Sequence, residues 1–552
     1  VIARLSSADR NFLLGSSIAG NLRYREFDWA GYSRIFETVA LSRFAFMFPQ
    51  LNAPRVFFRL VLLFLAATFP LTFAHAQEKP VAIHVDWSNT EPLRTTPTLQ
   101  VVVNPLLLHG SPIHDAAFAD LKDLGADYAR LAFWHPYPKL AVAELDPPSS
   151  TKTSWDFHLI DPLVADFFSA TAGHSTIFSL STNPEWMYKT DKLVPYPEDP
   201  GKLTWNYTQG KELRDPTCEK LAGYYKRVAE WYTQGGFTDE LGQRHESGLH
   251  YSLPYWEVFN EIDVEHQPSP EQYTRCYDAI VGPLHKLDPA MKFVGLAMAF
   301  PERNPAMLEY FLDPAHHRPG IPIDMISYHF YAIPTREQAP DNWQYSLFDQ
   351  ADRLVASIRF IQQMRKRLSP QTLTDMDEVG TILPTDWHPD DPYNPGPPIP
   401  PAYWNASGAL FAYFYIEAVK LDIDVLGESQ LVGFPSQFPS VTLIDWNTGK
   451  PNARFEVLRL LHDYAIPGSA RAATKFPGTD IDAQALSSSS GRTLLLVNKR
   501  NRPIQVELPA DFAHGTTVTV DESTANARPS PQSWSGTVMT LAPFAVTAIT
   551  TK

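Results

Sequence analysis

Between residues 99 and 427, short β-branched and aromatic runs alternate with amphipathic stretches, and this alternation constrains the fold more than any other feature. Strands are expected at Leu99–Val103, Tyr128–Phe133, Ser175–Ser181, Trp256–Asn260, Lys292–Ala297, Asp324–Tyr328, Thr372–Glu378 and Asp424–Gly427. Helical periodicity marks Asp115–Leu124, Cys218–Thr233, Pro270–Leu287, Leu347–Leu368 and Ala402–Lys420. Parallel neighbours need a crossover connection, so strands separated by helices argue for a parallel sheet. Eight such strands predict an α/β fold, a (β/α)8 TIM barrel over residues 99–465. A doubly wound sheet is the alternative, weakened because no Gly-rich nucleotide loop follows any strand.

The tail has a different rhythm. After a helical run at Asn452–Tyr464, the stretches Thr493–Val497, Ile504–Leu508, Thr516–Val520 and Val546–Thr550 read as strands separated by turn residues. Residues 466–552 are therefore expected to form an antiparallel β-sandwich, with 77–98, through Val81–Asp86, packing on it. A Pro-rich loop, 386–402, follows the seventh strand and would lie at the catalytic face of a barrel.

Residues 47–76 carry the pattern of a secretory signal peptide. Met47 is followed by Arg55 and Arg59, the apolar run Leu60–Phe73, and Ala74-His75-Ala76 as a small-x-small cleavage site. The run is too short to span a bilayer comfortably. An uncleaved anchor is the alternative; the expectation is cleavage after Ala76 and a secreted or periplasmic chain with no integral membrane segment. Residues 1–46 are an extension of uncertain status. The only cysteines, Cys218 and Cys276, exclude a disulfide-dense scaffold and a multi-Cys zinc module. They are read as two buried free thiols in preference to a bridge. Asn206 and Asn405 each sit in an Asn-x-Ser/Thr pattern. The net charge of −15 disfavours nucleic acid as a partner and, less strongly, polyanionic substrates.

Two segments carry the chemistry. Tyr255-Trp-Glu-Val-Phe-Asn-Glu261 is an apolar strand ending in Asn260-Glu261. Leu373-Thr-Asp-Met-Asp-Glu-Val-Gly380 also ends a strand in a carboxylate, Glu378, with Asp375 and Asp377 as competitors. Glu378 is favoured because Gly380 would let the backbone turn away at the rim. Carboxyls at the C-terminal ends of barrel strands face the active site. Two of them about 5–5.5 Å apart suit a retaining glycosidase, whereas about 6.5–9.5 Å suits an inverting one. Strict alternation cannot aim both Asn260 and Glu261 into the mouth, so the strand end must twist or bulge. His245-Glu-Ser-Gly-Leu-His250 has one residue too many for a zinc helix, and Gly427-Glu-Ser-Gln-Leu lacks the last Gly of a nucleophile elbow. No metal site and no cofactor are expected.

These residues resemble glycoside hydrolase clan A and, within it, the β-xylosidase-like family 39. The resemblance spans roughly residues 100–465, and the family's appended β-sandwich fits the tail. It implies Glu261 as acid/base on strand four and Glu378 as nucleophile on strand seven. Asn260 would hold the sugar's 2-hydroxyl. Ile323-Asp-Met-Ile-Ser-Tyr-His-Phe-Tyr331 looks like the sixth-strand segment, whose His329 or Tyr331 would contact the nucleophile. Arg130-Leu-Ala-Phe-Trp-His135 looks like the second-strand segment, with Arg130 steadying the nucleophile and His135 as a further substrate contact. Asn183-Pro-Glu-Trp-Met187 resembles the third-strand end, where Trp186 would stack on a sugar, and Trp404 is a second stacking candidate. The chain departs from the family in carrying Asp377-Glu378 where Thr-Glu is usual. The implied partner is a carbohydrate. Non-catalytic carbohydrate binding and transglycosylation are the alternatives. The sugar, the choice between exo and endo action and the oligomeric state are left open.

Overall fold

The computed structural model describes residues 79–551 apart from 206, 208–209, 336–337, 387–397, 434–437 and 525–526. The signal-peptide segment, residues 1–46, Asn206 and most of the Pro-rich loop lie outside the described residues.

Eight parallel strands close into a barrel. They are β1 (Thr96–Val102), β2 (Ala129–Ala132), β3 (Thr176–Ser179), β4 (Tyr255–Glu257), β5 (Lys292–Met298), β6 (Met325–Ala332), β7 (Leu373–Thr381) and β8 (Val425–Glu428). A principal helix follows each strand: α1 (His114–Leu124), α2 (Ile160–Ala170), α3 (Glu219–Thr233), α4 (Pro270–Leu287), α5 (Pro305–Leu312), α6 (Trp343–Leu368), α7 (Pro401–Lys420) and α8 (Ala453–Tyr464), with one further turn of helix at Pro138–Ala141 between β2 and α2. Helix boundaries follow local chemistry. Ser269 and Gln272 form a reciprocal capping box at the start of α4, and Gly125 ends α1 in the left-handed conformation at φ +61°. Two of these eight principal helices escape the sequence reading. In α2 apolar residues run on with little polar interruption, and α5 has eight residues, too few to show a period.

The C-terminal domain is the expected β-sandwich. A seven-stranded antiparallel sheet has His84–Pro92 at one edge, paired with Ala470–Lys475. A three-stranded sheet holds Val81–Ala82 against Ile504–Glu507. Ile83, Leu494, Leu496, Val506, Phe512 and Ile549 belong to the core between them. The strands Ala470–Lys475, Ile481–Ser488, Gln532–Ser535 and Val538–Leu541 are additional to those read from sequence. The first three are rich in Ala, Ser or Gln, and sheet context overrides their weak β-propensity, while Val538–Leu541 is only four residues long. Helix α7 is buried almost all round because it lies against both α8 and the C-terminal sheet. Asn405 is buried inside α7, so its glycosylation pattern is closed to modification in the folded chain.

Cys218 and Cys276 are joined in a disulfide, not the free thiols expected. Cys218 caps α3 and Cys276 lies within α4, so packing of two helices that neighbour one another in the outer ring brings the sulfurs together. No sequence spacing encodes that contact. The bridge closes a loop across a separation of 58 residues. On the chain-entropy argument such a loop contributes about 4 kcal/mol. Cys276→Ser is therefore expected to lower the unfolding free energy by about 2–4 kcal/mol, read from the urea midpoint. An unchanged midpoint under non-reducing conditions would show that the bridge contributes nothing.

Candidate active site

The site forms where the ends of two strands, β4 and β7, break regular alternation. In β4, Tyr255 points into the barrel with Ile177, Val294, Met325 and Val425, and Trp256 packs outward in the main core. Glu257 then points inward. Past the strand end, Phe259 takes φ +68° and Glu261 φ +39°. The left-handed turns leave Val258 and Phe259 both in the outer core and turn Asn260 and Glu261 both inward. Non-Gly residues in this region cost about 1–2 kcal/mol each, and the packing of Phe259 against Tyr273 and His266 holds the turn. Both Asp263 oxygens accept backbone N–H groups, from Ala299 and Phe300 at 2.8 Å each, tying the loop to the end of β5.

Strand β7 solves its own parity problem with a bulge. Ser327 and His329 on β6 pair with Asp375 and Glu378, and Met376 and Val379 pair with Leu426 and Glu428 on β8. One extra residue is thus accommodated between Met376 and Val379, so Asp377 and Glu378 both face the interior. Gly380 has a different role from the rim turn expected of it. A Cβ there would lie 2.9 Å from the Arg454 guanidinium, so the glycine makes room for that buried arginine, which pairs with Glu428 at 2.9 Å. The strand runs on to Thr381.

Arg130, from β2, is the hub. Its Nη1 donates to Glu378 Oε1 and to Gln100 Oε1, its Nη2 to Asn260 Oδ1 and its Nε to Glu257 Oε2, each at 2.7 Å. Its Nε also lies 3.0 Å from Asp377 Oδ2. The rigid guanidinium fork thereby fixes three carboxylates and two amides at once. The Tyr331 hydroxyl donates to Glu378 Oε2 at 2.8 Å and lies 2.6 Å from the Ser429 hydroxyl, which accepts from Gln100 Nε2 at 2.6 Å. His329 Nδ1 is 3.1 Å from Glu261 Oε1 and 3.5 Å from Glu378 Oε2. One oxygen of Glu261 and one of Glu378 lie within 4.8 Å of each other. Glu261, Glu378 and His329 could together face a cation, but Arg130 already supplies the positive charge against Glu378.

Burial and neighbouring charge set the electrostatics of the site. Burial raises the pKa of Glu261, with His329 partly offsetting it and the nearby Glu378 charge adding to it. Burial alone would lower the pKa of His329, but Glu378 and Asp377 outweigh it and raise it well above the imidazole range. Asp377 stays low despite burial because Arg130 and His329 face it. Asp375 is pushed well up by burial and by Asp377 and Glu257. Burial and the neighbouring charges thus drive the two aspartates of β7 in opposite directions.

Known proteins place this architecture. Residues 478–549 match the family described as the C-terminal immunoglobulin-like domain of D-apionate lactonase. No curated protein matches the chain. The GH51 α-L-arabinofuranosidase of Thermotoga petrophila RKU-1 superposes with a TM-score of 0.57 at 12% identity, covering 86% of this chain and 100% of that one. A glucosidase from Croceicoccus marinus gives 0.54 at 14%, covering 85% and 98%. A GH30 endoxylanase from Clostridium papyrosolvens C71 gives 0.51 at 12%, covering 86% and 99%. The structural neighbours are glycoside hydrolases, and at these identities the likeness shows the shared fold, a TIM barrel with a C-terminal β-domain.

Of the residues singled out from sequence, the fold brings Glu261, Glu378, Asn260, Arg130, His329 and Tyr331 into one cluster. Trp186 is held elsewhere: its indole donates to the Glu144 carbonyl at 3.0 Å and lines a cavity of about 310 Å³ with Leu193, Leu213 and Arg214. Trp404, partly buried, packs against the core at the start of α7, 5.2 Å from the Tyr403 ring. His135 belongs to an aromatic group with Trp134, Trp205 and Phe438. Burial, with His266 nearby, lowers its pKa to about 4, so it is neutral at pH 7.

Sequence reasoning missed Glu257, Gln100, Ser429, Trp134 and Glu265. Glu265 accepts from Asn260 Nδ2 at 3.2 Å and from Trp134 Nε1 at 3.3 Å. Burial and the Glu261 charge raise its pKa well above the carboxylate range. Only Glu257 left a signal, as a charge at an inward position of an otherwise apolar strand.

Proposed function

We propose that the protein is an exported retaining glycoside hydrolase of the β-xylosidase-like kind, acting on oligosaccharides or polysaccharides. One observation carries this reading. Two carboxylates from the ends of β4 and β7 approach within 4.8 Å, one raised in pKa by burial, the other clamped by Arg130 and Tyr331. That separation suits direct attack and leaves no room for a water between the carboxyls.

In this mechanism Glu378 attacks the anomeric carbon while Glu261 protonates the leaving oxygen. Glu261 then removes a proton from the water that releases the sugar. Arg130 and Tyr331 fix both Glu378 oxygens, so the nucleophile is preorganised. Asn260 is oriented by Arg130 at Oδ1 and by Glu265 at Nδ2, which leaves one amide hydrogen for a sugar hydroxyl. The Cys218–Cys276 bridge supports export to an oxidising compartment. Among the described residues no helix is long and apolar enough to cross a membrane. A site built only to bind sugar has no need of this pairing. Transglycosylation would use the same residues with another acceptor.

Hydrolysis of aryl β-xyloside, β-glucoside, β-galactoside and both arabinosides is the test, with the product anomer followed by proton NMR. The first-formed sugar should keep the substrate's anomeric configuration; inversion would refute the proposed roles. A second reading, hydrolysis of a sugar-acid lactone, is favoured only by the match of residues 478–549. Turnover of aldonolactones together with silence on every glycoside would replace the first reading with it.

A further inference from the structure

Outside the barrel mouth, three side chains from separate places in the chain converge on one point. His109 lies in the loop between β1 and α1, His114 is the first residue of α1, and Asp166 lies on α2. His109 Nε2 is 2.9 Å and His114 Nε2 3.0 Å from the same oxygen, Asp166 Oδ2. The three donor atoms all lie within 4.8 Å of one another. The two imidazoles are in contact, their centroids 4.4 Å apart and their planes tilted by 34°, and the Phe118 ring stands 5.0 Å from that of His114. The remaining ring nitrogen of His114, Nδ1, is 2.8 Å from Asp115 Oδ1.

We infer that His109, His114 and Asp166 form a binding site for a divalent transition-metal ion of the zinc type. Two imidazole nitrogens and one carboxylate oxygen are a donor set zinc accepts. Donors about 2.0–2.2 Å from an ion stand about 3.0–3.5 Å apart, so the separations of 2.9 and 3.0 Å need to open by only a few tenths of an ångström. Asp115 occupies the outer position that metal-bound histidines commonly use. A carboxylate on Nδ1 fixes the tautomer that turns an unprotonated Nε2 toward the ion. His114 is 7% exposed, so one ligand is held rigidly in the fold. The His109 side chain is 64% exposed, which leaves the outer face of the ion open to water. The ion would staple the β1–α1 loop and the start of α1 to α2. The role is structural, independent of the carboxylates at the mouth.

The test is calorimetric titration of Zn²⁺ into the chelator-stripped full-length chain, with the melting temperature measured in parallel. The expected result is one strong site per chain and a higher melting temperature with zinc. His109→Ala, His114→Ala and Asp166→Asn should each weaken binding by about tenfold or more. Glu378→Gln should leave it intact, since the Glu261–His329–Glu378 group is, among the described residues, the other place where an ion could sit. If His114→Ala fails to fold, the exposed His109 decides, because its truncation disturbs no core. Absence of a saturable site, binding that survives both His109→Ala and Asp166→Asn, or binding lost only in Glu378→Gln would each overturn the inference.

Discussion

Glu378→Ala is expected to lower turnover of an activated aryl glycoside by at least about 10⁴-fold, equivalent to about 5 kcal/mol of transition-state stabilisation. The loss follows from position. Glu378 is the carboxylate whose two oxygens are separately held by Arg130 Nη1 and the Tyr331 hydroxyl, with no freedom left to adjust. No neighbour can replace it. Asp377 points deeper, toward Arg130 and His329. Folding should survive, because Arg130 keeps Glu257 and Asp377 as counter-charges and Tyr331 keeps Ser429. Added azide should restore part of the turnover in this variant and yield a glycosyl azide of inverted configuration. The alanine leaves space where the nucleophile stood, and a small anion can attack from that side. Near-wild-type activity in a folded Glu378→Ala protein, seen in the same kinetic assay beside a thermal melt, would end the assignment.

Glu261→Gln should show a different pattern, since Gln keeps the shape and hydrogen bonding of the residue but has no proton to give. With a poor leaving group the expected fall in kcat/KM is about 10²–10⁴-fold, the range of general acid catalysis. With a leaving group that departs unprotonated, the first step should be nearly unaffected. The pH profile gives the independent check. Burial raises the pKa of Glu261 above its ordinary value near 4.5, so the acid form persists to higher pH and is lost only as pH rises through that raised value. Wild-type kcat/KM should therefore decline on the alkaline side at a pH above 4.5, and Glu261→Gln should lack that limb. An alkaline limb unchanged in the variant would assign it to another group, with His329 the first to examine.

The barrel itself was legible because its strands are short apolar runs at regular intervals, and each expected strand overlaps an observed one. The two carboxyls were legible because a charge at the end of an apolar strand has few places to go except the mouth. The disposition of the β7 acids was not. Asp375, Asp377 and Glu378 differ little in local context, and the bulge that turns both Asp377 and Glu378 inward exists only in the pairing of β7 with β6 and β8. Gly380 shows the same limit. Its neighbours in sequence suggested a turn, whereas its reason is Arg454, which reaches it from α8.

The sequence by itself determined the periods. Alternating strands and helices required a parallel sheet with a crossover at each step, and the turn-rich tail required a separate antiparallel domain. Those are properties of neighbouring residues, set by side-chain geometry along the backbone. Tertiary structure alone decided which distant groups meet: Arg130 with Glu257, Asn260 and Glu378, Cys218 with Cys276, and His109 and His114 with Asp166. Each of these contacts forms only once the barrel closes and its helices dock side by side. The charges it brings together are fixed by burial and mutual compensation, which no stretch of sequence contains on its own.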